Sequence, residues 1–321
     1  MQIGRRDFLA GVALAGSGLA MRPAFAAKGF PDKNINFIIP FAPGGGYDEY
    51  VRIILPPMQA QLPRSVVVLP VNVDGAAGGR AAEQLHLAKP DGYTISIMNV
   101  PGIIILQTQG GVDFDLRQLT WLCNMGIEVY GIAVAKDSPI KNIGQLLALA
   151  KKKQLKFPCV GPAGTAYSAT RIGAHLLGFE AQMISGYRTS ADFIIGCVRG
   201  EGDAVIASLN AMSQFIDNGM IRVLATFEKK SSIKGAEDAT TLGHPDLTKI
   251  VALRPVAAPP HLPPDIAAQL STVIINSMKD PKVLDWARKN RANMEPADAQ
   301  TTTKLFNEQL EFITTWKKYV T

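Results

Sequence analysis

The chain has 321 residues, 47% hydrophobic and 19% charged, with a formal charge of +6. That length and balance exclude a disordered or fibrous chain and allow a sizeable buried core. Three cysteines are too few for a disulfide scaffold. Beyond the N-terminus, apolar runs such as Ile103-Ile104-Ile105-Leu106 fall far short of the roughly 20 residues of a membrane-spanning helix.

The N-terminus reads as an address. Gly4-Arg5-Arg6-Asp7-Phe8-Leu9 is a twin-arginine pattern, followed by a weakly apolar stretch from Leu9 to Ala20. Arg22 and the A-x-A triplet Ala24-Phe25-Ala26 complete an export signal over residues 1–26. The expected location is the periplasm, with cleavage near Ala26 and no cysteine beside it for a lipid anchor. Cleavage removes three arginines and one aspartate, leaving 295 residues with a formal charge of +4. That charge is diffuse. The run Lys151-Lys152-Lys153 with Lys156 has no interleaved aromatics to stack on bases, so no nucleic acid is expected as a partner.

In the exported chain, the first strand is expected at Ile35–Ile39, ending in Pro40 and the loop Phe41-Ala42-Pro43-Gly44-Gly45-Gly46. A helix should open near Tyr47-Asp48 and stop before Pro56-Pro57, with Asp48 and Arg52 paired on one face. Val66–Leu69 is a second strand. Gly75-Ala76-Ala77-Gly78-Gly79 then opens a helix carrying Ala81, Leu85 and Ala88, and Tyr93–Met98 is a third strand. This alternation predicts a parallel sheet covered on both faces.

The middle repeats the logic. Strands are expected at Gly131–Ala135, Leu155–Val160, Asp203–Ala207 and Ile221–Ala225. Asp137-Ser138-Pro139 starts the helix holding Leu146, Leu147 and Ala150, and a further helix runs from about Tyr167 to Leu177. Prolines 255, 259, 260, 263 and 264 punctuate a connector, and two helices, about Pro264–Met278 and Thr301–Val320, close the chain.

Three glycine-rich loops, 41–46, 75–79 and 161–165, thus lie between strands and helices. In open α/β sheets ligands sit beyond the carboxyl ends of the strands, and the amides at a helix start attract anions. If the three loops share one cleft, they form a carboxylate- or phosphate-sized anion site made mainly of main-chain N–H groups. Enzyme signatures are missing: no G-x-G-x-x-G, no G-K-[ST], no G-x-S-x-G. Ser168 and His175 share a helix face but lie too far apart in rise to bond each other. No catalytic residue, cofactor or metal is expected. Cys123, Cys159 and Cys197 are too widely spaced for a zinc site and leave open whether any two pair. His86, His175, His244 and His261 are scattered and read as structural.

The motifs resemble those of the substrate-binding receptors of tripartite tricarboxylate transporters, the Bug receptors. The resemblance rests on Pro40 to Asp48 with Arg52, on Val66-Val67-Val68 with Asn72 and the 75–79 loop, and on Lys89-Pro90-Asp91-Gly92-Tyr93-Thr94. It continues through Asp137-Ser138-Pro139, Gly161 to Thr165, Tyr187-Arg188 and Gly200-Glu201-Gly202-Asp203, and covers residues 30–320.

The resemblance implies an α/β, two-lobed type II periplasmic-binding-protein fold, each lobe a mostly parallel sheet flanked by helices. One lobe takes residues 28–127 plus 251–321 and the other 128–250, with hinge segments near Ile127–Val129 and Ile250–Leu253. The implied function is capture of a small organic carboxylate (mono-, di- or tricarboxylate, aromatic or not) and delivery to integral-membrane permease subunits, without chemistry. A sensor reporting to a regulatory partner has the same fold and pocket. A monomer is the simplest expectation for such a receptor.

By position, the resemblance implies that Phe41, Ala42, Pro43, Gly44, Gly45 and Gly46 hold one carboxylate, partly through waters, and that Gly75, Ala76, Ala77 and Gly78 line the same side. Gly161, Gly164, Thr165 and Ala166 supply amides and a hydroxyl from the other lobe. Asn99 points into the cleft or ends a strand, and Asp203 borders the cleft or is a turn residue. Tyr47 stands where the family has a small hydroxyl residue, Thr165 where it has serine, and Arg188-Thr189-Ser190 where it has Lys-Gly-Gly.

Overall fold

The computed structural model describes residues 29–162 and 164–320. The export signal expected over residues 1–26 lies outside the described residues, as does Ala163.

The elements run in order β1 (Ile35–Ile39), α1 (Gly46–Gln59), β2 (Val68–Asn72), α2 (Gly79–His86), β3 (Thr94–Ile97), α3 (Gly102–Thr108) and β4 (Thr120–Ala135). Then come α4 (Ile143–Ala150), β5 (Leu155–Pro158), α5 (Thr165–Leu176), β6 (Ala181–Ile184), α6 (Ser190–Val198), β7 (Val205–Ser208), α7 (Leu209–Asp217), β8 (Ile221–Thr226) and β9 (Glu237–Asp238). The chain closes with β10 (Val251–Ala258), α8 (Pro264–Met278), α9 (Pro281–Lys289), α10 (Ala299–Thr315) and α11 (Lys317–Val320).

The architecture is α/β and two-lobed, built on one long sheet in the order β2-β1-β3-β10-β4-β8-β9, with β7 also on β4. β2, β1 and β3 are mutually parallel, as the strand–helix alternation predicts. β10 runs antiparallel between β3 and β4. β4 serves both ends of the sheet. Residues 120–129 pair with β10, and residues 130–135 lie between β7 and β8, antiparallel to both. In each half, therefore, the strands share one direction except for a single reversed strand that crosses the sheet, β10 in one and β4 in the other. β5 and β6 form a separate parallel pair.

Burial follows the same division. Phe37, Ile39, Tyr50, Ile54, Met58 and Ile274 pack in one half, and Phe193, Ile194, Val205 and Met212 in the other. A third cluster joins Trp121 and Phe306 to Ile132, Phe157 and Phe227 across the middle.

Three expectations are corrected. α1 does not stop before Pro56: the Ala60 N–H donates to the Pro56 carbonyl at 3.1 Å. Proline lacks the donor but its φ is helical, and buried Ile54 and Met58 hold the last turn against the core. The strand expected at 131–135 begins at Thr120, because its near-continuous burial on both faces gives no alternation to mark it. The supposed proline connector contains a central strand, β10, with Pro255 at a register shift, where a missing N–H is tolerated. Helices α3, α6, α7 and α9 and strands β6 and β9 also went unread.

Candidate functional site

Because β1, β2 and β3 are parallel, their carboxyl ends share one edge, and the first two glycine loops and Asn99 meet there. The Val73 N–H donates to the Ile39 carbonyl at 2.8 Å, and the Asn72 Nδ2 donates to the Phe41 carbonyl at 2.9 Å. A Cβ placed on Gly78 would sit 3.3 Å from Pro40, so the second loop abuts the first.

The 41–46 loop is held from beneath by the buried carboxylate of Asp48. It accepts the Gly44 N–H at 2.9 Å, the Arg52 Nε at 2.7 Å and the Asn72 Nδ2 at 3.0 Å. Burial alone would raise its pKa. The bonds from Arg52, Gly44 and Asn72, with the Arg52 charge, override that and hold it down at about 2. The expected Asp48–Arg52 pair is present, and it takes the Gly44 amide out of the expected anion site. Gly45 caps α1 without a side-chain bond. The amides of Gly46 and Tyr47, first in the helix, have no acceptor within it. Phe41 packs on the Tyr47 ring, centroids 4.9 Å apart.

In the second loop, Ala76 and Ala77 take φ of 48° and 52°, a left-handed conformation that costs an alanine roughly 1–2 kcal/mol. The loop is strained and lies beside Pro40.

The third loop belongs to the other half. The Gly164 N–H closes a turn onto the Gly161 carbonyl at 2.9 Å, and Gly164 caps α5, again with no side-chain bond. The first α5 amides, from Thr165 and Ala166, have no acceptor within the helix.

Asn99 brings the two halves together. Its Oδ1 accepts from the Tyr47 hydroxyl at 2.7 Å and from the Thr165 hydroxyl at 3.3 Å. Burial, offset in part by Arg254 and reinforced by Glu128, pushes the Tyr47 hydroxyl up to about 12, so it remains a donor at neutral pH. The amino ends of α1 and α5 thus face each other across a buried asparagine side chain.

Of the two readings of Asp203, cleft border or turn residue, its bonds fit the second. Its carboxylate takes the Lys153 Nζ at 2.7 Å and the Lys156 N–H at 2.8 Å, and its own N–H donates to the Lys156 carbonyl at 2.8 Å. It ties the amino end of β7 to β5, which is the turn-residue reading. Arg188 is exposed.

Sequence reasoning missed Arg254. It lies on β10 with its guanidinium between two rings, Cζ 4.2 Å from the centroids of Tyr47 and of Tyr50. Its Nη2 donates to Glu128 Oε1 on β4 at 2.6 Å. An arginine within Val251-Ala252-Leu253-Arg254-Pro255-Val256 was the available signal, because a charge inside an apolar run is either paired or functional.

The three cysteines are free and buried. His86 stacks on Phe114 at 4.0 Å, and the His175 Nε2 lies 3.0 Å from the Tyr319 hydroxyl. Among the described residues no three or more His, Cys, Asp or Glu gather to hold a metal, and no helix is long and apolar enough to cross a membrane.

The model of the family described as tripartite tricarboxylate transporter family receptor matches residues 51–318. The chain is 28% identical over 243 residues to the UPF0065 protein in the gbd 5′ region of Cupriavidus necator, covering 72% of this chain and 71% of that one. Two solved structures from Rhodopseudomonas palustris share the fold. MatC with bound malate matches with a TM-score of 0.76 at 17% identity, over 91% of this chain and 100% of that one. Rpa4515 with adipate matches at 0.72 and 19%, over 91% and 98%.

Proposed function

The chain belongs to the tripartite tricarboxylate transporter receptor family, and from that premise we propose that it captures a small organic carboxylate in the periplasm and delivers it to membrane permease subunits. The observation that carries the proposal is the meeting of two side-chain-free helix starts at Asn99. α1 and α5 each open on a glycine with no side-chain cap, and the Tyr47–Asn99–Thr165 bonds bring them to one place. Each presents amides that have no acceptor within its helix, and the positive end of a helix dipole, so an anion between them is favoured from both sides. The malate and adipate held by the two structural neighbours fit the same ligand class.

The residues in contact are the 41–46 loop, less the Gly44 amide, with Asn99, Thr165 and Ala166. The 75–78 loop supports the first of these. A ligand touching both halves favours the shut arrangement, with the crossing strands β4 and β10 as the hinge near 127–129 and 250–253.

A thermal-shift screen of mono-, di- and tricarboxylates, aromatic and aliphatic, tests the proposal. A ligand present at about 100 times its Kd stabilises by about 2.7 kcal/mol, so a true ligand raises Tm by several degrees. A panel in which no organic acid moves Tm, while a neutral metabolite does, contradicts it.

A further inference from the structure

Behind the first glycine loop lies a charged pair that the loop amides do not account for. Arg254 is 5% exposed and Glu128 7%. A Cβ on Gly46 would meet the Arg254 Nη2 at 3.7 Å, so the guanidinium sits directly behind the amino end of α1. Glu128 engages only Nη2. Among the described residues the Nε and Nη1 atoms, both buried, have no hydrogen-bond partner. Two unmet donors on a buried cation are expensive, and an apolar pair of the same volume would pack there without that penalty. The β4–β10 pairing does not require the charge: the ladder is held by backbone bonds, and the Arg254 N–H is taken by the Asn124 side chain at 3.0 Å.

An oxyanion entering the guanidinium plane at Nε and Nη1 would satisfy those donors, beside the Nη2 that faces the loop. The Tyr47 and Tyr50 rings both lie 4.2 Å from the guanidinium Cζ, and of the two Tyr47 is pinned by one hydroxyl bond to Asn99. Tyr47 is half-buried, so it is the movable side of the enclosure. We propose that Arg254 reads the second acidic group of a diacid, uncovered when Tyr47 leaves Asn99, while the amides of α1 and α5 hold the first. Glu128 fixes the orientation of the guanidinium fork and leaves its other donors to the ligand. This rests on the carboxylate-receptor reading above and names its ligand as a diacid.

The test is calorimetry with succinate, glutarate and adipate, each against the monoacid of equal carbon count. It uses the wild type, Arg254→Lys, and the isosteric pair Glu128→Gln with Arg254→Gln, which leaves no buried charge unpaired. The wild type is expected to favour at least one diacid over its monoacid by about tenfold or more, the scale of one hydrogen bond to a charged group. The paired variant should bring that ratio close to one, and Arg254→Lys, with a single point donor, should fall between. Circular dichroism confirms that each variant is folded. If the paired variant fails to fold, the Lys variant alone decides, since it must narrow the ratio. A ratio unchanged in the folded variants, or a wild type that binds monoacids as tightly as diacids, overturns the assignment of Arg254 and leaves the carboxylate reading standing. Failure to bind any acid in the series overturns both.

Discussion

The two glycine loops that face each other at Asn99 are built to the same plan and fixed by different means. The 41–46 loop rests on a side-chain network: Asp48 binds Gly44, Arg52 and Asn72, and Asn72 in turn binds Phe41. The 161–165 loop is closed by its own backbone, Gly164 onto Gly161. The first is braced and loses one amide to its brace. The second keeps the amides of Thr165 and Ala166 free of any carboxylate brace, and a long side-chain bond, from the Thr165 hydroxyl, reaches across to Asn99. A strand–glycine–helix turn therefore does not by itself say how many donors it offers a ligand. That depends on which side chain holds it.

The difference can be broken deliberately. The largest effect is expected from bulk at the helix starts. Gly45→Leu should weaken carboxylate binding at least about 100-fold, roughly 3 kcal/mol, by calorimetry. It should barely change stability, since its φ is −88° and a Cβ there meets only the Ala42 carbonyl, at 3.6 Å. Gly164→Leu should weaken binding comparably but also lower Tm, because a Cβ at Gly164 lies 3.1 Å from the Gly161 carbonyl. Equal stability losses at both sites would erase the contrast.

Removing the brace comes next. The pKa of Asp48 in the folded protein, about 2, lies below its unfolded value of about 3.9. Its contribution is therefore complete above about pH 4 and lost as pH falls through about 2, on the order of 2 kcal/mol. Urea melts across that range should show the loss in the wild type and a flatter profile in Asp48→Asn. An unaltered acid limb in the variant would show that the carboxylate does not brace the loop. No such acid sensitivity arises from the 161–165 loop, which contains no carboxylate.

Smaller effects belong to the contacts between the halves. Tyr47→Phe deletes the 2.7 Å bond to Asn99 and should cost about 1 kcal/mol of stability in urea melts. Thr165→Val deletes the longer 3.3 Å bond and should cost about 0.5 kcal/mol or less. The reverse order would place the stronger link on the other half.

Much of this was legible in the residues. The β1–loop–α1 and β5–loop–α5 turns follow from glycine clusters between an apolar run and a helical one, and α8 from Pro264 to Met278 was read to its last residue. What escaped notice shares a physical cause. β4 is buried along nearly its whole length and β10 carries a proline and an arginine, so neither shows period two. With β10 taken for a connector, Arg254 had no sheet position and its pairing with Glu128, 126 residues away, had no local signal. Gly44 reads as a ligand amide although the carboxylate that takes it, Asp48, lies only four residues on, and Asp203 stands between a cleft and a turn reading. For Asp203 the deciding partners, Lys153 and Lys156, lie 50 and 47 residues away, so no local signal chose between the two readings.

The grip on the ligand can be watched atom by atom. Backbone amide NMR on the protein, titrated with the acid that raises Tm most, should move the Gly46, Tyr47, Thr165 and Ala166 resonances together and to the same saturation point, while Gly44, bound to Asp48, moves little. Saturable shifts confined to residues of only one half, or clustered away from both helix starts, would contradict an anion held between them.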